Sequence, residues 1–243
     1  MNLVADLGNT HIKIGVFQNN CILNQFRWSY KESIDQLNQL ALSYPKINRA
    51  IISTVVSFDH PTIIHIKELF PSIELSTKTN IPISNKYKTP ETLGKDRLCN
   101  AVGAAHEFIN ENCLIIDLGT CIKFDFINEN QEYLGGAISP GLQMRYNSLK
   151  TDTDRLPLIN KTSNTPLLGS NTSDSISSGV INGIIFEING AIASYMSQFN
   201  KIKVVLTGGD HIHFVERIKN DTFARPNLTL IGLYQILKFN EVN

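Results

Sequence analysis

Leu3-Val4-Ala5-Asp6-Leu7-Gly8-Asn9-Thr10-His11-Ile12-Lys13-Ile14-Gly15-Val16-Phe17 opens the chain, and it returns far downstream as Ile115-Ile116-Asp117-Leu118-Gly119-Thr120-Cys121-Ile122-Lys123-Phe124-Asp125-Phe126. Both copies read as an apolar strand, Asp-Leu-Gly, a threonine, then Ile-Lys and a second strand. The later copy is one residue shorter between glycine and lysine. In the first copy Ile12, Ile14 and Val16 alternate with Lys13 and Gly15, the period of a half-buried strand. The segment is therefore a hairpin, unlike a P-loop, which feeds a helix. A short Asp-x-Gly-Thr arises by chance, but matching flanks hardly do, so the repeat points to a duplicated domain. Two related domains facing each other would create a cleft, the usual setting of a small-molecule site.

Outward from these copies the pattern is mixed α/β. Helical spacing runs from Ser33 to Leu42, from Asp96 to Phe108 and from Ile176 to Phe199. Ala50 to Val56 and Lys203 to Leu206 read as strands. Lys150 to Ser178, rich in Ser, Thr, Asn and Pro, reads largely as loop. The boundary between the halves is set at 113/114, giving domains 1–113 and 114–243.

Composition narrows the function classes. Hydrophobic residues make up 42% of the 243, enough for a real core. Basic and acidic residues number 22 each, so no global charge draws the chain to nucleic acid or to an anionic membrane. An acid follows only three apolar residues at the N-terminus, too few for an export signal, and no window approaches a bilayer span. A cytoplasmic protein without nucleic-acid or membrane partners is expected. Cys21, Cys99, Cys113 and Cys121 fit no zinc spacing and read as reduced, mostly buried thiols. His211 and His213 are placed on one face of a strand as a surface pair.

Chemistry concentrates in four places. At the first turn, Gly8 permits close backbone approach to a phosphate, Thr10 adds a hydroxyl, Lys13 a cation, and Asp6 an oxygen ligand for Mg²⁺ or its waters. A plain hairpin satisfied by its own Asp and Asn would look the same taken alone; its duplication decides for phosphate. Gly94-Lys95-Asp96-Arg97 opens a helix. It is either a charged first turn, or an acid that accepts a hydroxyl proton beside a cation that clamps a carboxylate. Gly135-Gly136-Ala137-Ile138-Ser139-Pro140-Gly141 reads as a tight strand-to-helix turn with room for a ligand. Thr207-Gly208-Gly209-Asp210 follows a strand and leaves space for a nucleotide's adenosine.

Together these residues resemble the type III pantothenate kinases, members of the superfamily of acetate and sugar kinases, Hsp70 and actin. The resemblance runs nearly end to end. It includes Asp6-x-Gly8-Asn9-Thr10-x-x-Lys13, the strand Ile52-Ser53-Thr54-Val55-Val56, Gly94-x-Asp96-Arg97 with Asn100-Ala101, and Asp117-x-Gly119-Thr120. Gly135-Gly136-x-Ile138-x-Pro140-Gly141, Gly169-x-Asn171-Thr172, Gly179, Thr207-Gly208-Gly209 and Leu228-x-Leu230-x-Gly232-Leu233 complete it. Two positions depart: Lys95, where the family often has a small residue, and Thr54, in place of Ser.

The resemblance implies an α/β fold of two ribonuclease-H-like (actin-like ATPase) domains, paired as a homodimer. It implies pantothenate and ATP as substrates, 4′-phosphopantothenate as product, and Mg²⁺ plus a monovalent cation, potassium or ammonium. Asp96 matches the general base. Asp6, Leu7, Gly8, Asn9, Thr10, His11, Ile12 and Lys13, with Thr120, match ATP-binding positions. Tyr87, Gly94, Lys95, Asp96, Arg97 and Thr172 match the pantothenate site, with Thr172 near the dimer interface. Asp117 matches the monovalent-cation ligand. The rival readings are another kinase or polyphosphate hydrolase of the superfamily, and an ATP-dependent switch that would not need Asp96.

Overall fold

Leu3, Val4, Ala5 and Leu7 have no more than a trace of exposed surface, so the first strand is buried on both faces. That requires a sheet covered on both sides, and the computed structural model, which describes residues 1–159 and 165–242, shows one. The strands β1 (Asn2–Leu7), β2 (His11–Gln18) and β3 (Cys21–Ser29) form an antiparallel meander. The helix α1 (Ser33–Ser43) leads to β4 (Arg49–Thr54), parallel to β1. The helix α2 (Pro61–Leu69) then leads to β5 (Ser72–Glu74), parallel to β4. The sheet order is β3-β2-β1-β4-β5. A short β6 (Ser84–Asn85) and α3 (Lys95–Glu107) follow.

The plan then repeats. The strands β7 (Asn112–Leu118), β8 (Cys121–Ile127) and β9 (Glu132–Pro140) make a second meander. After α4 (Leu142–Thr151) and α5 (Thr172–Gln198), β10 (Ile202–Thr207) pairs parallel to β7, and β11 (Thr222–Ala224) pairs parallel to β10. The chain ends in α6 (Leu228–Val242). Each meander thus has two parallel strands added beside its first strand.

By packing, the chain falls into two compact units, Met1–Glu107 with Leu228–Asn243, and Phe108–Asn227. This partition and the 113/114 division of the duplicated halves are different things, because α6 packs on α3 and β1. A Cβ on Gly232 of α6 would stand 1.8 Å from the Cys99 carbonyl of α3, so the helices cross nearly backbone to backbone. In the first unit α1 and α2 cover the opposite face, where Leu37, Leu40, Ile63 and Ile66 meet Leu3, Ala5, Ile12 and Ile14. In the second, α5 lays Val180, Ile184, Ile188 and Ile192 on Ile116, Phe124 and Leu206.

Several expectations need correction. Gly135 and Gly136 are not in a turn but inside β9. Gly135 has φ +107°, beside a register shift at Phe126/Ile127, and a Cβ on Gly136 would overlap the Phe124 carbonyl. They serve a bulged strand, and only Gly141 marks the strand-to-helix junction, at the residue preceding α4. The loop ends earlier than Ser178, since Asn171 accepts a hydrogen bond from the Asp174 amide at 3.0 Å and starts α5 at Thr172; residues 160–164 of that stretch lie outside the described residues. The α5 helix is, by length and composition alone, apolar enough to cross a membrane, contrary to the sequence reading. Over half of its apolar window, 56%, is buried in the core just described. His211 and His213 lie in a 3-10 turn, not on a strand. Two of the four thiols, Cys99 and Cys113, are buried, while Cys21 is exposed.

Candidate active site

Asp6 sits at the carboxyl end of β1, beside Ser53 of β4 in the parallel register. Carboxyl ends of adjacent strands are where open α/β sheets place ligands. The turn after Asp6 closes through the Gly8 amide, which donates to the His11 carbonyl at 3.1 Å. Asn9, Thr10, His11 and Lys13 are exposed around it, whereas Leu7 and Ile12 face the core. Tyr30 holds the turn from below, its hydroxyl donating to the Gly8 carbonyl at 2.6 Å. Burial first, and the Asp6 carboxylate second, push the Tyr30 phenol up, which keeps it a donor. Sequence reasoning missed Tyr30, because only the β2–β3 register brings it under the turn.

The first turn of α3 carries the second group. A Cβ on Gly94 would lie 2.7 Å from Asp96 Oδ1, so glycine there makes room for the carboxylate. Asp96 Oδ1 accepts from the Arg97 amide at 2.9 Å. Arg97 is 4% exposed, and its guanidinium stands 5.6 Å from the Tyr87 ring centroid. Lys95 donates to the Thr54 carbonyl at 3.1 Å and lies 4.7 Å from the Phe58 ring centroid. Lys95 and Thr54, the two departures from the family pattern, therefore touch. Burial pulls the Lys95 ammonium down from the usual lysine range, with Cys99 and Glu74 opposing.

Cys99, one turn further along α3, ties these groups together. Its thiol is pushed well above the ordinary range by burial, then by the negative charges of Asp6 and Asp96, with Lys95 opposing. A single buried thiol thus feels the carboxylate from β1 and the carboxylate from α3. The first unit gathers Asp6, Lys95 and Asp96 at one end of its sheet.

The second unit builds a parallel arrangement. Asp117 faces Lys123 across the antiparallel ladder and Thr207 across the parallel one. The Gly119 amide donates to the Cys121 carbonyl at 3.2 Å, closing the turn. Gly208 has φ +88° and packs so closely that a Cβ would stand 2.4 Å from the Leu118 carbonyl. His211 Nδ1 is 2.6 Å from the Gly208 carbonyl, so that nitrogen carries the proton. Gly141 donates its amide to the Thr120 carbonyl at 3.2 Å, which sets the uncapped N-terminus of α4 beside the exposed Thr120 turn. Thr172 is exposed at the first position of α5.

The twice-built Asp-Leu-Gly hairpins, each at the strand ends of a sheet of the same plan, give the chain the α/β fold of two ribonuclease-H-like (actin-like ATPase) domains. Solved structures agree on the fold. The chain is similar to a Baf family protein from Campylobacter jejuni at 22% identity and TM-score 0.66, over 99% of this chain and 100% of that one. It is also similar to a ROK family glucokinase from Streptomyces griseus at 11% identity and TM-score 0.54, over 96% and 97%. The family follows from sequence. The profile described as Type III pantothenate kinase matches residues 2–194. A Type III pantothenate kinase of Christiangramia forsetii is 42% identical over 241 residues, 99% of each chain. The chain belongs to the type III pantothenate kinase family. It is an ATP-dependent kinase whose acceptor is pantothenate, and its reaction belongs to coenzyme A biosynthesis. Membership disposes of the rival superfamily readings.

Proposed function

We propose that Asp96 is the general base of pantothenate phosphorylation and that the Asp6 turn holds the nucleotide's phosphates. The observation that supports this is that Lys95, beside Asp96 at the start of α3, donates to the Thr54 carbonyl at 3.1 Å, and Thr54 pairs with Leu7, the residue after Asp6. Phosphoryl transfer needs positioning and charge neutralisation more than covalent chemistry. The Gly8 turn offers backbone close to phosphate, with Thr10 and Lys13 exposed to meet it. Asp96 orients the pantothenate hydroxyl and accepts its proton.

Arg97, held over Tyr87, takes the pantothenate carboxylate, with Gly94 and Lys95 lining the same stretch. Thr172 contributes to the pantothenate pocket near a homodimer interface. The exposed side chains of Ile138, Met144 and Phe186 support that interface in the second unit. An oxygen donor such as Asp6 suits Mg²⁺, which when bound neutralises phosphate charge. At the second turn Thr120 offers its hydroxyl to ATP. Asp117 there calls for one positive counter-charge, the place the resemblance gives to potassium or ammonium. The enzyme works in the cytoplasm, where its ATP is, without nucleic-acid or membrane partners.

Mass spectrometry of a reaction holding ATP, Mg²⁺ and pantothenate tests the assignment. A phosphorylated pantothenate should form with the wild type. An Asp96→Asn enzyme that forms it at the same rate would remove the proposed base.

A further inference from the structure

The residues at Asp117 do not fit a free monovalent cation. Asp117 is 8% exposed. Its Oδ2 lies 2.7 Å from the Lys123 ammonium, in a pair whose side chains are 11% and 15% exposed. That distance is a charge-assisted hydrogen bond. The pair is built in by the register, because directly opposed residues of an antiparallel ladder project from the same face. Gly208 packs on the carboxylate's other oxygen, where a Cβ would stand 2.5 Å from Oδ1. A potassium ion arriving at Asp117 would have to displace a tethered cation or lie against it, and like charges at that range repel.

We infer that Lys123 is the built-in monovalent cation of this kinase. Its ammonium supplies at Asp117 the single positive charge that a free potassium or ammonium ion would supply, so turnover does not depend on either ion. The chemistry matches, since a site that accepts ammonium accepts the same group on a side chain. Tethering also removes the entropic cost of capturing a free ion. Among the described residues no cluster of three or more His, Cys, Asp or Glu could hold a metal, so Asp117 belongs to no carboxylate cage. The first hairpin gives the contrast: Lys13 has the same register opposite Asp6 but is exposed. Lys123 is a positioning residue, acting through Asp117 and the charge balance around it.

The inference rests on the kinase reading, and the test separates the two. Wild type, Lys123→Ala and Lys123→Gln are compared in potassium, ammonium or choline chloride at equal ionic strength, so that general screening is constant. Pantothenate-dependent ADP formation is one readout, and calorimetric binding of a non-hydrolysable ATP analogue is the other. The wild type should turn over equally in all three salts. Each variant should lose about 10²-fold or more in choline and recover in potassium or ammonium, with analogue binding following the same order. A wild type that needs potassium overturns the inference, and so do variants whose rate and analogue affinity ignore the salt. If no salt supports pantothenate-dependent ADP formation, the kinase reading fails, while the analogue titrations still decide the role of Lys123.

Discussion

Asp6 and Asp117 hold the same position in two copies of one hairpin. Each faces a lysine across an antiparallel ladder, Lys13 or Lys123, and each has a hydroxyl residue beside it on the parallel strand, Ser53 or Thr207. What differs is the surroundings. Asp117 is closed over by its lysine and by Gly208, while Asp6 shares its neighbourhood with a second carboxylate, Asp96. Equivalent positions therefore sit in different surroundings, and the roles proposed for them differ accordingly.

Asp96→Asn and Asp6→Ala should separate that work. The first should cut kcat by about 10²–10⁴-fold with ATP-analogue affinity retained, the ordinary cost of losing a general base. The second should weaken analogue binding itself in the presence of Mg²⁺. Asp96 also accepts a hydrogen bond from the Arg97 amide in the first turn of α3, and the asparagine side-chain oxygen can accept the same bond. Circular dichroism should therefore show the same melting temperature for Asp96→Asn. Normal kcat in that variant would leave Asp96 with that hydrogen bond and nothing more.

Arg97 lies against Tyr87 with little exposed surface, which fixes its guanidinium before substrate arrives. Arg97→Lys keeps the charge but loses the planar fork. The KM for pantothenate should rise about tenfold or more, while the KM for ATP stays put. Tyr87→Leu should raise the same KM too, by the worth of one cation–π contact, about 0.5–2 kcal/mol. Equal effects on the two substrates would detach this pair from the pantothenate carboxylate.

Much of this was legible in the sequence because the information is local. The two Asp-Leu-Gly turns announce themselves by alternation and by repetition, and the α3 motif by a glycine before paired charges. What was not legible depends on register and packing. Tyr30 reaches Gly8 only because β3 pairs with β2 as it does. Lys95 reaches Thr54 only because α3 passes the end of β4. Gly135 and Gly136 misled because glycine density marks a turn and a bulged strand alike, and nothing nearby in sequence tells them apart. Lys123 was in plain view as part of the repeat, yet its ion pair with Asp117 needed the ladder to be seen.

The four thiols offer a check on burial that needs no substrate. Cys99 is fully buried, and desolvation, then Asp6 and Asp96, hold its thiol well above the usual range. At pH 8 it therefore stays protonated and out of reach, and the thiolate is the reactive form. In the native protein a thiol reagent should label Cys21, which is exposed, ahead of Cys99 and Cys113, which are buried. Full labelling should come only in denaturant. Rapid native labelling of Cys99, read by peptide mass, would contradict the packing of α3.

The crossing of α3 and α6 can be tested with one methyl group. A Cβ on Gly232 would stand 1.8 Å from the Cys99 carbonyl and 2.6 Å from its carbon, and neither backbone atom can turn aside as a side chain would. Gly190 in α5 is also helical, but a Cβ there meets nothing within 4 Å. Helix propensity favours alanine at both positions by about 1 kcal/mol. At Gly190 that gain should survive and raise the melting temperature by about 2–4 °C. At Gly232 overpacking, typically about 1–3 kcal/mol and more where backbone is struck, should outweigh it and lower the melting temperature by several degrees. The strain falls on Cys99, one turn along α3 from Asp96, so Gly232→Ala should also reduce kcat. If both alanines melt higher than wild type, the two helices do not meet at Gly232.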